Sequence, residues 1–298
     1  MATRATTSSR ETAWRDHYWW SNDGVRLHAR VYDPLTQAGE DALPLLCMPG
    51  LTRNARDFDM LAAHLAQHRR VYAVEFRGRG ESGYVKDAMS YVPLTYARDV
   101  IAMLAELGIE RFATVGTSLG GLVTMLLAAT QPGRLAAVVL NDVGPELNPA
   151  GLERIKTYVG QSASYPTWVH AARAIGVANA DVYPKWGLEE WLVMAKRTHR
   201  LTREGRIVAD YDMNIAQPFK LPGGEAGVDL WPAFDALKGV PTLIVRGARS
   251  DILAAEAAER MAARLPGAQL VTVADVGHAP TLDEPEAVAA IDGLLAQL

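Results

Sequence analysis

A serine, an aspartate and a histidine, far apart in this chain, stand in settings that suit nucleophilic catalysis. The serine is Ser118, in Val115-Gly116-Thr117-Ser118-Leu119-Gly120-Gly121, a Gly-x-Ser-x-Gly pattern. Residues 111–115 before it are β-prone, and residues 122–129 after it are apolar helix formers. The serine therefore falls on a strand-to-helix turn, the context in which this pattern presents a nucleophile. Gly116 and Gly120 let the strand and helix backbones approach each other. A serine on so tight a turn is held at a strained backbone angle with its hydroxyl exposed, and the free N–H groups of the first helical turn point at the same spot.

A serine hydroxyl is a weak nucleophile until a base within hydrogen-bond reach takes its proton, and that base needs an orienting partner. His278, in Gly277-His278-Ala279-Pro280, supplies the base, and Asp251, in Arg246-Gly247-Ala248-Arg249-Ser250-Asp251, supplies the orienting carboxylate. The remaining histidines suit other roles. His64 and His68 lie one helical turn apart beside Gln67 and Arg69 and read as surface residues, with no third ligand nearby for a metal. His28 alternates with Arg26 and Arg30 along a strand and is expected on a solvated face.

These residues can meet only if the elements carrying them bring loop ends together. Two short runs, 18–20 and 25–32, flank Asp23-Gly24 and predict a hairpin. Buried strands follow at 43–48, 71–76, 111–115, 135–140, 241–245 and 270–273, interleaved with helices at 57–67, 94–107, 254–265 and 285–294. Gly108 stands at the stop of the second helix and Pro285 at the start of the last. Such alternation predicts a mostly parallel sheet covered on both faces, with ligands bound at the carboxyl ends of its strands. From about Pro145 to Leu230 the alternation stops, and the segment reads as helical stretches broken by prolines and by Pro222-Gly223-Gly224.

Composition narrows the class. The chain has 298 residues, of which 49% are hydrophobic, so one large domain or a domain with an insertion can bury a substantial core. A net charge of −4 favours neither nucleic acid nor an anionic membrane as partner. The one cysteine, Cys47, reads as a core residue and rules out a disulfide within the chain, which suits a cytoplasmic location. Residues 1–14 read as a disordered tail.

Together these pieces resemble the α/β-hydrolase superfamily, in its lidded serine esterase-like branch. The resemblance is carried by Met48-Pro49-Gly50-Leu51, by Phe76-Arg77-Gly78-Arg79-Gly80-Glu81-Ser82, by the Ser118 turn, by 246–251 and by Gly277-His278. It implies an α/β-hydrolase fold, a mostly parallel eight-stranded sheet with helices on both faces. The core would be residues 15–144 and 231–298, with a helical lid at 145–230. It implies Ser118, Asp251 and His278 as the triad, with Asp142 as the alternative acid because some members carry it after that earlier strand. The backbone N–H groups of Leu51 and Leu119 would form the oxyanion hole, leaving their side chains free to line the pocket. Where many members have His-Gly, this chain has Pro49-Gly50 and keeps the glycine that turns the loop. Arg77 and Arg79 read as structural, bonding nearby loop carbonyls.

The resemblance further implies a hydrolase that cleaves a carboxylic ester or lactone with an apolar group, without metal or other cofactor. Lid aromatics such as Trp168, Trp186 and Trp191 would roof the pocket, while Arg53 and Asn54 are placed to reach a polar group of the substrate or, alternatively, to cap the next helix. Serine at 118 argues against relatives that use an aspartate nucleophile. A carbon–carbon bond hydrolase, a cofactor-free perhydrolase and a non-catalytic ligand receptor remain as alternatives on the same fold.

Overall fold

The computed structural model describes residues 14–220 and 229–298. The expected tail at 1–14, apart from Trp14, and the Pro222-Gly223-Gly224 break lie outside the described residues. The chain opens with strands β1 (Arg15–Trp20) and β2 (Arg26–Tyr32), helix α1 (Gln37–Asp41) and strand β3 (Leu45–Met48). Helix α2 (Asp59–Leu65), strand β4 (Val71–Glu75), helix α3 (Pro93–Glu106), strand β5 (Phe112–Thr117), helix α4 (Leu119–Thr130) and strand β6 (Leu135–Asn141) follow. After α5 (Pro149–Tyr158) come β7 (Ser164–Tyr165), α6 (Trp168–Ala178), α7 (Leu188–Thr198), β8 (His199–Leu201) and β9 (Ile207–Ala209). The chain closes with α8 (Trp231–Asp235), β10 (Thr242–Gly247), α9 (Ala255–Arg264), β11 (Gln269–Val273) and α10 (Pro285–Leu295).

Eight strands form one sheet in the order β1-β2-β4-β3-β5-β6-β10-β11, antiparallel at β1–β2 and β2–β4 and parallel from β4 onward. Its strands are apolar on both faces because both faces are covered. In β6, Val138 and Leu140 pack into the core layer that holds α3, α4, α8 and α9, while Ala137 and Val139 pack into the layer of α2 and α10. Each fully buried large apolar side chain contributes about 1.5–3 kcal/mol relative to exposure. Among the described residues, no helix is long and apolar enough to cross a membrane.

Local chemistry sets the element ends. Pro93 and Pro285 stand in the first turns of α3 and α10, where a missing N–H is harmless. Gly108 takes φ +64° just past α3, a conformation that favours glycine. The helix expected at 57–67 begins with a tight 3₁₀ turn at Ala55–Phe58, and Asn54 caps it by accepting from Arg56 N–H at 3.1 Å.

Two expectations fail here. His28 is not solvated: it is 1% exposed, with Nδ1 2.8 Å from Glu75 and Nε2 2.7 Å from Asp16. It sits directly opposite Glu75 in the β2–β4 ladder, so strand pairing places a carboxylate against the ring. Burial opposes its charged form, yet the two carboxylates raise its pKa above the ordinary value. The segment between β6 and β10 also holds strands: β7, β9 and β8 form a small antiparallel sheet beside α5, α6 and α7. Two or three residues long and half exposed, these strands rest on a turn at Gly205 (φ +74°) rather than on a legible apolar run.

Candidate active site

Ser118 stands alone between β5 and α4, with φ 50° and ψ −113°. A non-glycine residue in such a region costs about 1–3 kcal/mol and persists only where its surroundings over-determine it. The surroundings are glycines. A Cβ on Gly120 would lie 2.0 Å from Met48 O, and one on Gly116 would lie 2.5 Å from Gly120 O. Ser118 N–H donates to Asn141 O at 2.9 Å, and Ser118 O accepts from Gly121 and Leu122, so the turn is bonded on both sides.

His278 reaches the serine from the loop after β11, with its Nε2 2.9 Å from Ser118 Oγ. Its Nδ1 is 2.7 Å from Asp142 Oδ2, not from Asp251. Asp142 follows β6 at φ 56° and its side chain is fully buried. Its carboxylate also accepts from Gly247 N–H at 2.9 Å and from Ser250 Oγ at 2.6 Å. With three donors around it, the buried carboxylate has the partners its charge requires.

The assignment of Asp251 to the histidine is therefore corrected. Asp251 does follow β10 at the correct edge, but its side chain is 36% exposed and is paired with both Nε and Nη2 of Arg154 on α5. Burial disfavours its ionised form, but Arg154 holds the carboxyl below its usual range. In the same loop it is Ser250, one residue earlier, that turns inward and binds Asp142.

The loop after β3 completes the rim. A Cβ on Gly50 would be 3.8 Å from Ser118 Cβ, so this loop passes directly over the serine. Among the described residues, no protein carbonyl accepts from the N–H of Leu51 or of Leu119, the latter opening α4. Arg79, fully buried, donates from Nε to Leu51 O at 2.9 Å and from Nη1 to Arg77 O at 2.7 Å, a structural role. Arg77 grips Asp99 and Asp23. The Leu119 side chain is packed in the core; Leu51 alone of the two lines the pocket.

Above Ser118 and His278 lies a cavity of about 430 Å³, roofed by the segment between β6 and β10. Trp191 lines it, but Trp168 and Trp186 do not. Trp186 stacks on Tyr183 with ring centroids 3.9 Å apart and meets Trp191 edge-on, which puts it behind the wall. Trp168 is packed against the core beneath. Asn54 is fully buried and does not line the cavity; it caps the next turn and donates from Nδ2 to Asp210 at 3.4 Å. Arg53 does line the cavity, with Nε and Nη2 held by Asp57 at 2.7 and 2.8 Å.

Several residues at the site carried no signal that singled them out. Asn141 donates from Nδ2 to Thr117 Oγ1 and to Pro280 O, tying the serine turn to the histidine loop. Gly247 permits close approach, since a Cβ there would lie 2.4 Å from Gly277 O. Tyr183 donates its hydroxyl to Ala279 O, and Gly277 N–H donates to Val182 O, so the roof holds the histidine loop in place. His199, in the cavity wall, is lowered to about 4 by burial and then by Arg53 and Arg56. Among the described residues, no cluster of His, Cys, Asp and Glu could hold a metal; His64 instead meets Asp292 at 2.8 Å.

Comparison with known proteins agrees with this architecture. A family model described as the alpha/beta hydrolase family matches residues 45–291. The chain is 35% identical over 274 residues to a 3-hydroxybutyrate-oligomer hydrolase of Cupriavidus necator, covering 88% of this chain and 91% of that protein. It is 26% identical over 257 residues to an sn-1-specific diacylglycerol lipase of Mus musculus, covering 83% of this chain and 79% of that one. The crystal structure of an alpha/beta hydrolase from Novosphingobium aromaticivorans aligns with TM-score 0.90 at 56% identity, over 96% of this chain and 99% of that one. This chain belongs to the alpha/beta hydrolase family and is a hydrolase of that fold.

Proposed function

We propose that this hydrolase cleaves carboxylic esters through an acyl-enzyme on Ser118, and that its substrates are esters of short hydroxy acids. The observation that carries the reading is the hydrogen-bonded series from Ser118 Oγ to His278 Nε2 at 2.9 Å and from His278 Nδ1 to Asp142 Oδ2 at 2.7 Å. His278 takes the hydroxyl proton as Ser118 attacks the ester carbonyl carbon. The carbonyl oxygen becomes an oxyanion, stabilised by the N–H groups of Leu51 and Leu119; removing one such donor typically costs about 3–4 kcal/mol. Asp142 keeps the imidazole in the tautomer that accepts at Nε2 and stabilises the imidazolium. His278 then gives the proton to the departing alkoxide. Water, deprotonated by His278, attacks the acyl-enzyme and releases the acid. A lactone, as a cyclic ester, passes through the same steps.

The hydroxy-acid preference is supported by the likeness to the 3-hydroxybutyrate-oligomer hydrolase, which extends over 88% of this chain. A cavity of about 430 Å³ also lies within the range of small-molecule sites, roughly 300–1,000 Å³. The test uses a fluorophosphonate probe and two substrates, p-nitrophenyl butyrate and the linear dimer of 3-hydroxybutyrate. Labelling and hydrolysis of both are expected in the wild type, with both activities lost in Ser118→Ala. A folded wild-type protein that takes up no probe and hydrolyses neither ester refutes the reading.

A further inference from the structure

The cavity over Ser118 is more cationic than an apolar ester needs. Among the described residues, Arg53, Arg154 and Arg197 all line it, against one lining carboxylate, Asp57. The aspartates that hold Arg154 and Arg197, Asp251 and Asp283, do not line it. A guanidinium that is partly withdrawn from water gains from an anionic partner in the cavity it lines.

The manner of pairing leaves all three arginines with an unused donor: Arg197 is held by Asp283 through Nη2 alone, while Arg53 and Arg154 are each gripped at two nitrogens. Asp57 takes Nε and Nη2 of Arg53, and Asp251 takes Nε and Nη2 of Arg154. Among the described residues, Nη1 of each has no protein acceptor and is not among the fully buried orphan atoms, so on a cavity-lining residue it remains an accessible donor. The carboxylates behind them fix the two forks, and Nη1 is the donor left over.

Their position relative to the nucleophile suits a short substrate. One point above Gly50, where a Cβ would sit, is 3.4 Å from Arg53 Cγ and 3.8 Å from Ser118 Cβ, so the Arg53 stem starts beside the serine. Burial raises the Tyr158 phenol, and Arg154 and Arg53 both act against that rise, which places one cavity-lining ring within reach of both charges. His199 in the same wall is held neutral by burial, with Arg53 and Arg56 adding to the effect, as expected in a positive field.

We propose that Arg53 and Arg154 form a carboxylate subsite, so that the preferred substrates are esters bearing a free carboxylate a few bonds from the scissile carbonyl. The proposal rests on the ester-hydrolase reading above and adds to it the charge of the substrate. A neutral ester fills the cavity without meeting either Nη1; a hydroxy-acid ester with its free acid end meets both.

The test compares the linear 3-hydroxybutyrate dimer as the free acid and as its methyl ester, which removes that charge, with cleavage read in both only at the ester joining the two hydroxybutyrate units. The wild type is expected to favour the acid in kcat/KM by about tenfold or more, the scale of one charge-assisted hydrogen bond. That preference should fall by about tenfold in Arg53→Gln and in Arg154→Gln, and be partly kept in Arg53→Lys. Equal kcat/KM for acid and methyl ester in the wild type overturns the subsite while leaving the ester-hydrolase reading intact, as does a preference kept in both glutamine variants. If neither form is hydrolysed, p-nitrophenyl butyrate and the fluorophosphonate probe decide that reading, and calorimetry on Ser118→Ala decides the subsite separately. Tighter binding of the acid than of the methyl ester then supports it, and equal or absent binding overturns it.

Discussion

Thr117 and Asn141 are direct partners in the β5–β6 ladder, and the residues that follow them are Ser118 and Asp142. The ladder runs on past the strands, because Ser118 N–H donates to Asn141 O and Asp142 N–H donates to Val245 O. Both residues then leave the sheet at positive φ, 50° and 56°. Ser118 and Asp142 are thus placed by strand register, and His278 comes in from the loop after β11 to bridge them.

From that relationship it follows that Asp142, not Asp251, orients His278. Asp142→Asn should lower kcat by a factor on the order of 10³–10⁴, as expected when the imidazole loses its orienting carboxylate. Asp251→Asn, which loses an ion pair with Arg154 on a half-exposed rim, should lower it less than about tenfold. Steady-state kinetics on p-nitrophenyl butyrate checks both, and the reverse order of severity would restore Asp251 as the acid.

Ser250 is expected to matter more than its loop position suggests. Its hydroxyl donates to Asp142 Oδ2 at 2.6 Å while accepting from Leu253 N–H at 3.0 Å. Ser250→Ala removes one of three donors to a buried carboxylate, so kcat should fall by about tenfold with KM little changed. Unaltered kcat in a folded variant would show that Gly247 and His278 satisfy Asp142 without it.

Gly120→Ala tests the packing that makes the serine turn possible. The added Cβ would lie 2.0 Å from the Met48 carbonyl oxygen, which belongs to the sheet. Backbone cannot yield there as a side-chain tip would, so a loss of several kcal/mol is expected. Thermal melting measures it, and an unchanged Tm contradicts the geometry.

His199 gives a pH dependence of stability. In the folded protein it takes a proton only near a pKa of about 4, whereas the unfolded chain takes one near about 6.5. Between these values the unfolded state binds more protons, so acidification destabilises the fold by up to about 1.4 kcal/mol per pH unit, and above the window the effect is gone. Melting curves from pH 6.5 to 4.5 should show a shallower fall in Tm for His199→Gln than for the wild type.

Much of the chemistry was legible along the chain because its signals are local. Gly116, Ser118, Gly120 and Gly121 are neighbours, and each glycine is needed for contacts within that turn or just beneath it. The period of apolar residues marked the parallel strands, since both sheet faces are buried. His278 stood out for the same reason, as a histidine right after the last strand.

The partner of His278 was a different matter. Asp142 and Asp251 both follow strands at the carboxyl edge, and nothing in either neighbourhood tells them apart. The choice depends on the loop after β10, which turns Ser250 toward Asp142 and sends Asp251 out to Arg154, a residue nearly a hundred positions earlier in the chain. His28 shows the same limit, because its burial comes from standing across from Glu75 on β4. The amino-acid sequence alone determined the fold and singled out Ser118 and His278 as residues that meet, through turns and periodicities that neighbouring residues create. Tertiary structure decided which carboxylate meets His278, the cationic character of the cavity and which aromatics face it, because each depends on side chains that approach only after distant strands have paired.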